Sequence, residues 1–400
     1  MVEIRGKYNV AKVFTDNIEE TAVGQVITLC NQPFAKGQKI RIMPDVHAGA
    51  GCVIGTTMTI TDKIVPNLVG VDIGCGMHVV KLHEKRVELP KLDSVIRKYI
   101  PSGFDIRETE HKFIRQTSIN NLECREHGVN LERATLSLGT LGGGNHFIEL
   151  DEDKDGNKYL VIHTGSRNLG KQVAEYYQDQ AYKELTKENR SAASKEIIDG
   201  LKEQGRQSEI QKELQKLKAR MPHAIYGLAY CDGELVNRYI HDMGIVQEFA
   251  DLNRKAIAET ILKEMKLHEE SSFTTIHNYI DTENMILRKG AVSAQQDEIL
   301  LIPMNMRDGC LLCRGKGNED WNYSAPHGAG RLMSRSVAKD SFTVSEFKNQ
   351  MKGIYTTSVG SGTLDECPMA YKPMQDILNN IGDTVEVINI IKPVYNFKAS

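Results

Sequence analysis

Apolar positions recur with two different periods along the chain. Over residues 1 to 185, short runs such as "KIRIM", "VIGTTMTI" and "KYLVIH" alternate with glycine turns, the pattern of β-strands and their connections. From 183 to 221 the period becomes helical. Ile197, Ile198 and Leu201 share one face, while Ile210, Leu214 and Leu217 share another at spacings of four and three, with Gly205 between the segments. This stretch is rich in Lys, Glu and Gln and nearly free of aromatics. It predicts a helical hairpin projecting from the body, either a solvated pair or an arm that meets a partner. Helical pattern continues through "LVNRYIHDMGIVQEFADLNRKAIAETILKEM", β-like segments return from about residue 273, and "FTVSEFKNQM" opens another helix. No repeat of fixed period and no long polar linker appears, so residues 1–400 read as a single domain.

Composition narrows the class without naming a function. The chain is 40% hydrophobic and 26% charged with a formal net charge of -3, as in a soluble globular protein. A nucleic-acid partner would have to meet a local positive patch, because the whole is not basic. "MVEIRGKYNV" has no signal-peptide core, and no apolar run approaches the roughly 18 residues of a membrane span. The eight cysteines are scattered, so the expectation is free thiols in the cytoplasm, away from membranes. Cys310 and Cys313 form a C-x-x-C, but "GCLLCRG" is an apolar run and reads as a strand interior.

Polar residues then gather where strands are expected to end. "VGVDIGCGM" sets Asp72 and Cys75 three apart in a glycine-rich loop, placed after an apolar strand; carboxylate plus thiolate suits a divalent transition metal. "HFIEL" and "KYLVIH" read as antiparallel strands joined by "DEDKDGNK", which brings His146 and His163 together at the end away from the turn. "TGSRNLG", with Arg167, makes a plausible anion nest. "RIMPDVHAGAG" carries Asp45 and His47, "TTIHNYI" carries His277, and "RKGAVSA" follows with Arg288 and Lys289. In "SAPHGAGRLMSR", His327 sits on a glycine-lined turn with Arg331 and Arg335 behind it. One such loop is ordinary, but five are hard to explain by folding alone, because glycines and buried polar groups both cost stability. A shared rim with Asp72, Cys75, His146, His163 and His277 has ligands for two metals bridged by a thiolate. Two close metals are typical of phosphoryl chemistry, for which Arg167, Arg288, Lys289, Arg331 and Arg335 would clamp phosphate.

The segments "MPDVH", "VGVDIGCGM", "GTLGGGNHFIE", "HTGSRNLG", "HNY", "RKGAVSA", "HGAGR" and "DECPMAYK", in this order from residue 43 to 372, resemble the RtcB family of RNA-splicing and RNA-repair ligases. The resemblance implies an α/β fold of mixed sheets flanked by helices, with the helical insertion at 183–221. It implies an RNA ligase that joins a 3′-phosphate or 2′,3′-cyclic phosphate end to a 5′-hydroxyl end, using GTP and two Mn²⁺. His327 would be the nucleophile that becomes GMP-histidine, with Asp45 also catalytic. Asp72, Cys75, His146, His163 and His277 would hold the metals. Asn145, Glu149, Asn305, Gly328, Ala329, Gly330, Arg331, Tyr371 and Lys398 would bind the nucleotide, and Arg167, Arg288 and Lys289 the RNA or phosphate. An activating helper protein and a monomeric state fit the same picture. The chain departs from the family's P-G-S-M-G at "PMNMRDG" (303–309). Asn305 replaces the serine that meets guanine, and Arg307 adds a charge, which bears on base preference. Two other readings use the same residues: a dinuclear phosphoesterase with His327 as acid or phosphate binder, and an RNA-binding protein that has lost catalysis.

Overall fold

The computed structural model describes residues 1–220 and 224–399, without the side chains of residues 187–190, 192–193 and 218–220; residue 221, the last of the expected hairpin, lies outside the described residues. Two large sheets organise the chain. The first has six strands in the order Val2–Arg5, Val10–Val13, Ile40–His47, Ile54–Thr59, Ile286–Lys289, Asn278–Asp281. Its Val10–Val13 and Ile40–His47 pair is parallel; the other pairs are antiparallel. The second has seven strands in the order Ile299–Asn305, Gly309–Gly315, Val385–Phe397, Phe147–Glu152, Lys158–Thr164, Gly76–Leu82, Glu269–Ile276. Ala291–Ser293 and Ser324–Pro326 form a small ladder of their own. This is the mixed α/β architecture expected.

The helix Glu234–Met265 lies against the seven-stranded sheet. Ile257, Ile261 and Met265 repeat every fourth residue and bury with Val80, Leu160 and Ile162. Each such side chain contributes about 1.5–3 kcal/mol by leaving water. The same helix turns another face to the first sheet through Tyr239, Met243 and Val246. Residues between the two stripes, Asn253 and Arg254, are fully buried and polar, and they act on the site described below.

Three expectations are extended or changed. First, the helix that enters the hairpin runs Arg167–Glu203; before residue 183 its Leu169, Val173, Tyr177 and Ala181 form an apolar stripe that packs in the core. The chain then turns at Gly205, where φ is +72°, and returns through Ile210–Arg220. Second, the apolar run before Asp72 is a short helix, Pro66–Val69, rather than a strand. Pro66 stands in its first turn, where a missing N–H costs nothing, and the strand follows the loop at Gly76–Leu82. Third, the site cations Arg288 and Lys289 end a strand that points them inward, as set out below. Cys310 and Cys313 do lie within a strand, Gly309–Gly315. Being three apart, they face opposite sides and enter different apolar clusters, so they do not work as a pair.

Candidate active site

Sheet register assembles the first half of the site. Phe147 pairs with His163 in the hairpin, which leaves His146 beside His163 with ring centroids 5.2 Å apart. On the other side Gly76 pairs with both Thr164 and Ile276. Cys75, His163 and His277 are therefore neighbours at one end of three adjacent strands. Cys75 Sγ lies 3.3 Å from His146 Nε2 and 3.4 Å from His163 Nε2, and the His277 backbone N–H donates to the Cys75 carbonyl at 2.9 Å. The His163 and His277 rings are 5.2 Å apart. Asp72 Oδ2 is 3.0 Å from His146 Nε2, and its Oδ1 accepts from the Ser166 N–H at 3.1 Å.

These groups are poised as ligands. Burial holds His163 and His277 well below the ordinary imidazole pKa, so both keep a free lone pair at neutral pH. Burial, reinforced by Asp72, pushes the Cys75 thiol well up. Burial opposes ionisation of Asp72, but pairing with His146 overcomes it and lowers the carboxyl. His277 Nδ1 is buried without a hydrogen-bond partner, and His146 turns Nε2 toward Cys75 and Asp72. Such an orphaned atom beside a thiol–imidazole–carboxylate set is what a borderline-soft divalent cation satisfies. The sulfur–nitrogen separations also suit two ligands of one ion, with bonds of about 2.3 Å to S and 2.0–2.1 Å to N.

The loops carrying these ligands are held from behind. Arg254 Nη1 donates to the carbonyls of Gly74 and Thr164, at 2.7 and 3.0 Å. Asn253 accepts from the Gly139 N–H at 2.7 Å and donates to the Gly165 carbonyl at 3.0 Å. Glycine is required at 142 and 165, where a Cβ would collide with His146 Nδ1 and Asp72 Oδ1 respectively. Neither Asn253 nor Arg254 was singled out from sequence; a polar pair on an otherwise apolar helix face is the signal that could have found them.

The second half of the site is the His327 loop, which follows the strand Ser324–Pro326. The His327 ring lies 4.7 Å from that of His277, so it adjoins the metal-type ligands. Asp45, fully buried, accepts three N–H groups on Oδ2: the His327 backbone at 3.1 Å, the Gly328 backbone at 3.2 Å and His327 Nδ1 at 2.7 Å. A carboxylate only accepts, so this bond assigns a hydrogen to Nδ1, and in the neutral ring the lone pair is on Nε2. That is the arrangement of an oriented nucleophile or base. Asp45→Asn is expected to slow any step that uses Nε2 by roughly 10²–10⁴-fold while leaving bound metal unchanged. Metal analysis beside single-turnover kinetics checks this; a proportional loss of metal would mean that Asp45 acts on the other half of the site.

His327 opens into a pocket lined by all nine residues expected to meet a nucleotide: Asn145, Glu149, Asn305, Gly328, Ala329, Gly330, Arg331, Tyr371 and Lys398. Its organiser is Glu366, which lay inside the "DECPMAYK" segment without being singled out. This buried carboxylate accepts from Tyr371 Oη at 2.7 Å, Lys398 Nζ at 2.7 Å and Arg331 Nη1 at 3.2 Å, and pairs with Arg335. Burial works against its charge, but Lys398 and Arg335 prevail and hold it at about 2. Tyr371 is thereby pinned, with the Arg331 guanidinium 5.1 Å from its ring centre. Lys398 Nζ also reaches the Asn145 carbonyl at 3.3 Å. Asn305 is committed to its own turn: Nδ2 donates to Asp308 at 2.8 Å, and Oδ1 accepts from the Arg307 and Asp308 N–H groups, each at 3.0 Å. Arg307 itself pairs with Asp308 at 2.7 Å, so the departure in this segment builds a self-contained turn.

The expected phosphate cations divide. Arg167 and Arg335 line a wide cleft of 850 Å³ next to the pocket, together with Arg133, Lys171 and Lys339. Burial lowers Arg167 to about 10, still cationic at neutral pH. Arg288 and Lys289 are corrected. Arg288 is fully buried, donating to Ser324 Oγ at 2.9 Å and Tyr279 Oη at 2.9 Å and pairing with Asp281 at 3.3 Å. Lys289 is spent on the carbonyls of Ala50 and Asn67. Neither lines the pocket or the cleft; their strand pairs on both edges and carries them into the interior. Arg288→Ala is expected to cost about 3–5 kcal/mol in unfolding free energy, because it leaves a buried cavity and takes the donor from Tyr279 Oη and the Asn322 and Tyr323 carbonyls, measured by urea denaturation. Unchanged stability with weakened RNA affinity would restore the phosphate role.

A family model described as "tRNA-splicing ligase RtcB" matches residues 25–399. The chain is 30% identical to the RNA-splicing ligase RtcB1 of an Escherichia coli strain (ATCC 25922), covering 94% of each chain. It is 29% identical to the RNA-splicing ligase RtcB of Escherichia coli K12, again over 94% of each. To the tRNA-splicing ligase RtcB of Methanococcus maripaludis it is 26% identical, over 98% of this chain and 94% of that one.

Proposed function

Since the chain belongs to the RtcB family, we propose that this RNA ligase works through guanylylation of His327 by GTP. The observation that carries the reading is the His327–Asp45 pair, which leaves Nε2 free at the junction of the metal-type centre and the pocket.

In this reading Nε2 attacks the α-phosphorus of GTP. A P–N bond forms, the bond to the β-phosphate oxygen breaks, and pyrophosphate leaves. Asp45 holds Nδ1–H throughout, so the ring stays aimed and its developing charge is offset. Where necessary, an RNA 3′-phosphate is produced by hydrolysis of a 2′,3′-cyclic phosphate, in which water adds to phosphorus and the P–O2′ bond breaks. The GMP then passes to the RNA 3′-phosphate: the P–N bond breaks and an RNA–pp–G anhydride forms. The 5′-hydroxyl of the second strand attacks the 3′-phosphorus, loses its proton, and expels GMP. Tyr371 and Lys398, braced by Glu366, are fixed walls for the base, and Glu149 and Asn145 complete that end. Gly328 leaves room for phosphate beside the nucleophile, and Gly330 lets the loop close onto the Asp45 backbone. Arg167 and Arg335 would meet RNA phosphates in the adjoining cleft.

Two Mn²⁺ ions would be held by Asp72, Cys75, His146, His163 and His277, with Cys75 shared. Bound there, they supply Lewis-acid stabilisation of charge on the transferred phosphoryl group. We take residues 1–400 as one catalytic domain. Among the described residues no helix is long and apolar enough to cross a membrane. The test is joining of a 3′-phosphate RNA to a 5′-hydroxyl RNA with GTP and Mn²⁺. The expected result is a joined product that needs both; joining of 3′-hydroxyl to 5′-phosphate ends instead would overturn the reading.

A further inference from the structure

Beyond the pocket wall lies a second set of metal-type donors, of which only Glu149 faces the nucleotide pocket. Glu149 lines the pocket, and two residues on, the same face of its strand carries Asp151. The next strand sets Asn396 opposite Glu149, and the strand after that carries Cys310. A carboxylate oxygen of Glu149, one of Asp151 and Cys310 Sγ all lie within 4.8 Å of one another, and all three residues are buried.

Folding does not explain this set. Asp151 is fully buried, and its carboxylate has beside it only the Cys310 thiol, a weak donor. Asn396 is also fully buried; its Nδ2 donates to Glu149, and its Oδ1 has no partner. The surroundings are apolar, including Val79, Phe147, Val161 and Leu301. The nearest cation, Lys398, is occupied by Glu366 and the Asn145 carbonyl. Buried oxygens of this kind are normally satisfied, and two carboxyls with a thiol offer each other no fixed donor once ionised.

We propose that Glu149, Asp151 and Cys310 form a further divalent-cation site of zinc type, separate from the Cys75 centre. Two carboxylate oxygens and a thiolate are three protein donors of mixed hardness, which leave the fourth position of a tetrahedral zinc to water. Glu149 gives the ion a way in, because it faces the pocket. Binding displaces the protons of the Cys310 thiol and the Asp151 carboxyl to solvent. Burial raises the Glu149 carboxyl to about 7 and the Asp151 carboxyl well above its ordinary range, and the ion removes that penalty. An occupied site fixes Glu149 as a carboxylate at the pocket wall.

Cobalt(II) is the probe, since thiolate-bound Co²⁺ has a charge-transfer absorption in the near ultraviolet. The full chain is freed of metal, reloaded with Co²⁺, desalted, and its cobalt counted. In Cys75→Ser the thiolate band is expected to persist, and in Cys75→Ser with Cys310→Ser it disappears with the loss of one further cobalt per chain. A folded Cys75→Ser protein without any thiolate band overturns the site; its carboxyls are then simply protonated. Should Cys75→Ser not fold, Cys310→Ser and Asp151→Asn are each read against the unmodified chain. Loss of one cobalt per chain supports the site, and an unchanged count and band overturn it. Because the readout is bound metal, its failure leaves the histidine-guanylylation reading untouched, and the converse holds.

Discussion

Cys75→Ala is expected to lose metal and ligation together. Sγ sits between His146 and His163 at 3.3 and 3.4 Å, while its backbone carbonyl ties down His277. Removing the sulfur takes away the donor that two ions would share and leaves buried imidazoles without a common partner. Second-sphere changes alone weaken metal sites by about 10–100-fold. Loss of a shared ligand should exceed that, so the metal of the Cys75 centre should be lost on desalting and ligation with it. The fold should survive, because the backbone bonds of Cys75 need no side chain. Metal analysis by mass spectrometry, beside a thermal melt, checks this. Full occupancy in Cys75→Ala would refute the shared-ligand role.

His327→Ala should separate the two halves of the site in the opposite way. Its side chain contributes a nucleophile, and removal of a covalent nucleophile costs on the order of 10⁶-fold. Label uptake from α-labelled GTP should vanish. Metal content should hold, because the ligands Asp72, Cys75, His146, His163 and His277 come from other elements. RNA already activated as RNA–pp–G should still be sealed by the variant, since that step no longer needs the histidine. Residual uptake of label by His327→Ala would move the nucleophile elsewhere.

Much of this site was legible because the chain writes it in local patterns. Alternation in "HFIEL" and "KYLVIH", with a polar turn between them, dictates a hairpin, and a hairpin dictates that His146 meets His163. Glycines flanking His327 mark a place where backbone must come close to something. Cations read less well. Arg288 and Lys289 look like Arg331 in sequence, yet their strand is paired on both edges and turns them inward, whereas Arg331 follows a glycine turn into the pocket. Which face of a strand is solvent is a property of the assembled sheets. The supports were hidden for the same reason. Asn253 and Arg254 serve loops more than 80 residues away in sequence, and Glu366 gathers partners from three segments. The arm's first helix runs back into the core through Leu169, Val173, Tyr177 and Ala181, and a core-facing stripe and a projecting one share the same period.

The most direct test of the central claim is incubation of the unmodified chain with α-labelled GTP and Mn²⁺, followed by a denaturing gel and intact mass. The account predicts a covalent adduct of GMP mass, labile to acid and stable to base as a phosphoramidate is, mapped to His327. No adduct with any nucleotide, or one on another residue, would contradict it.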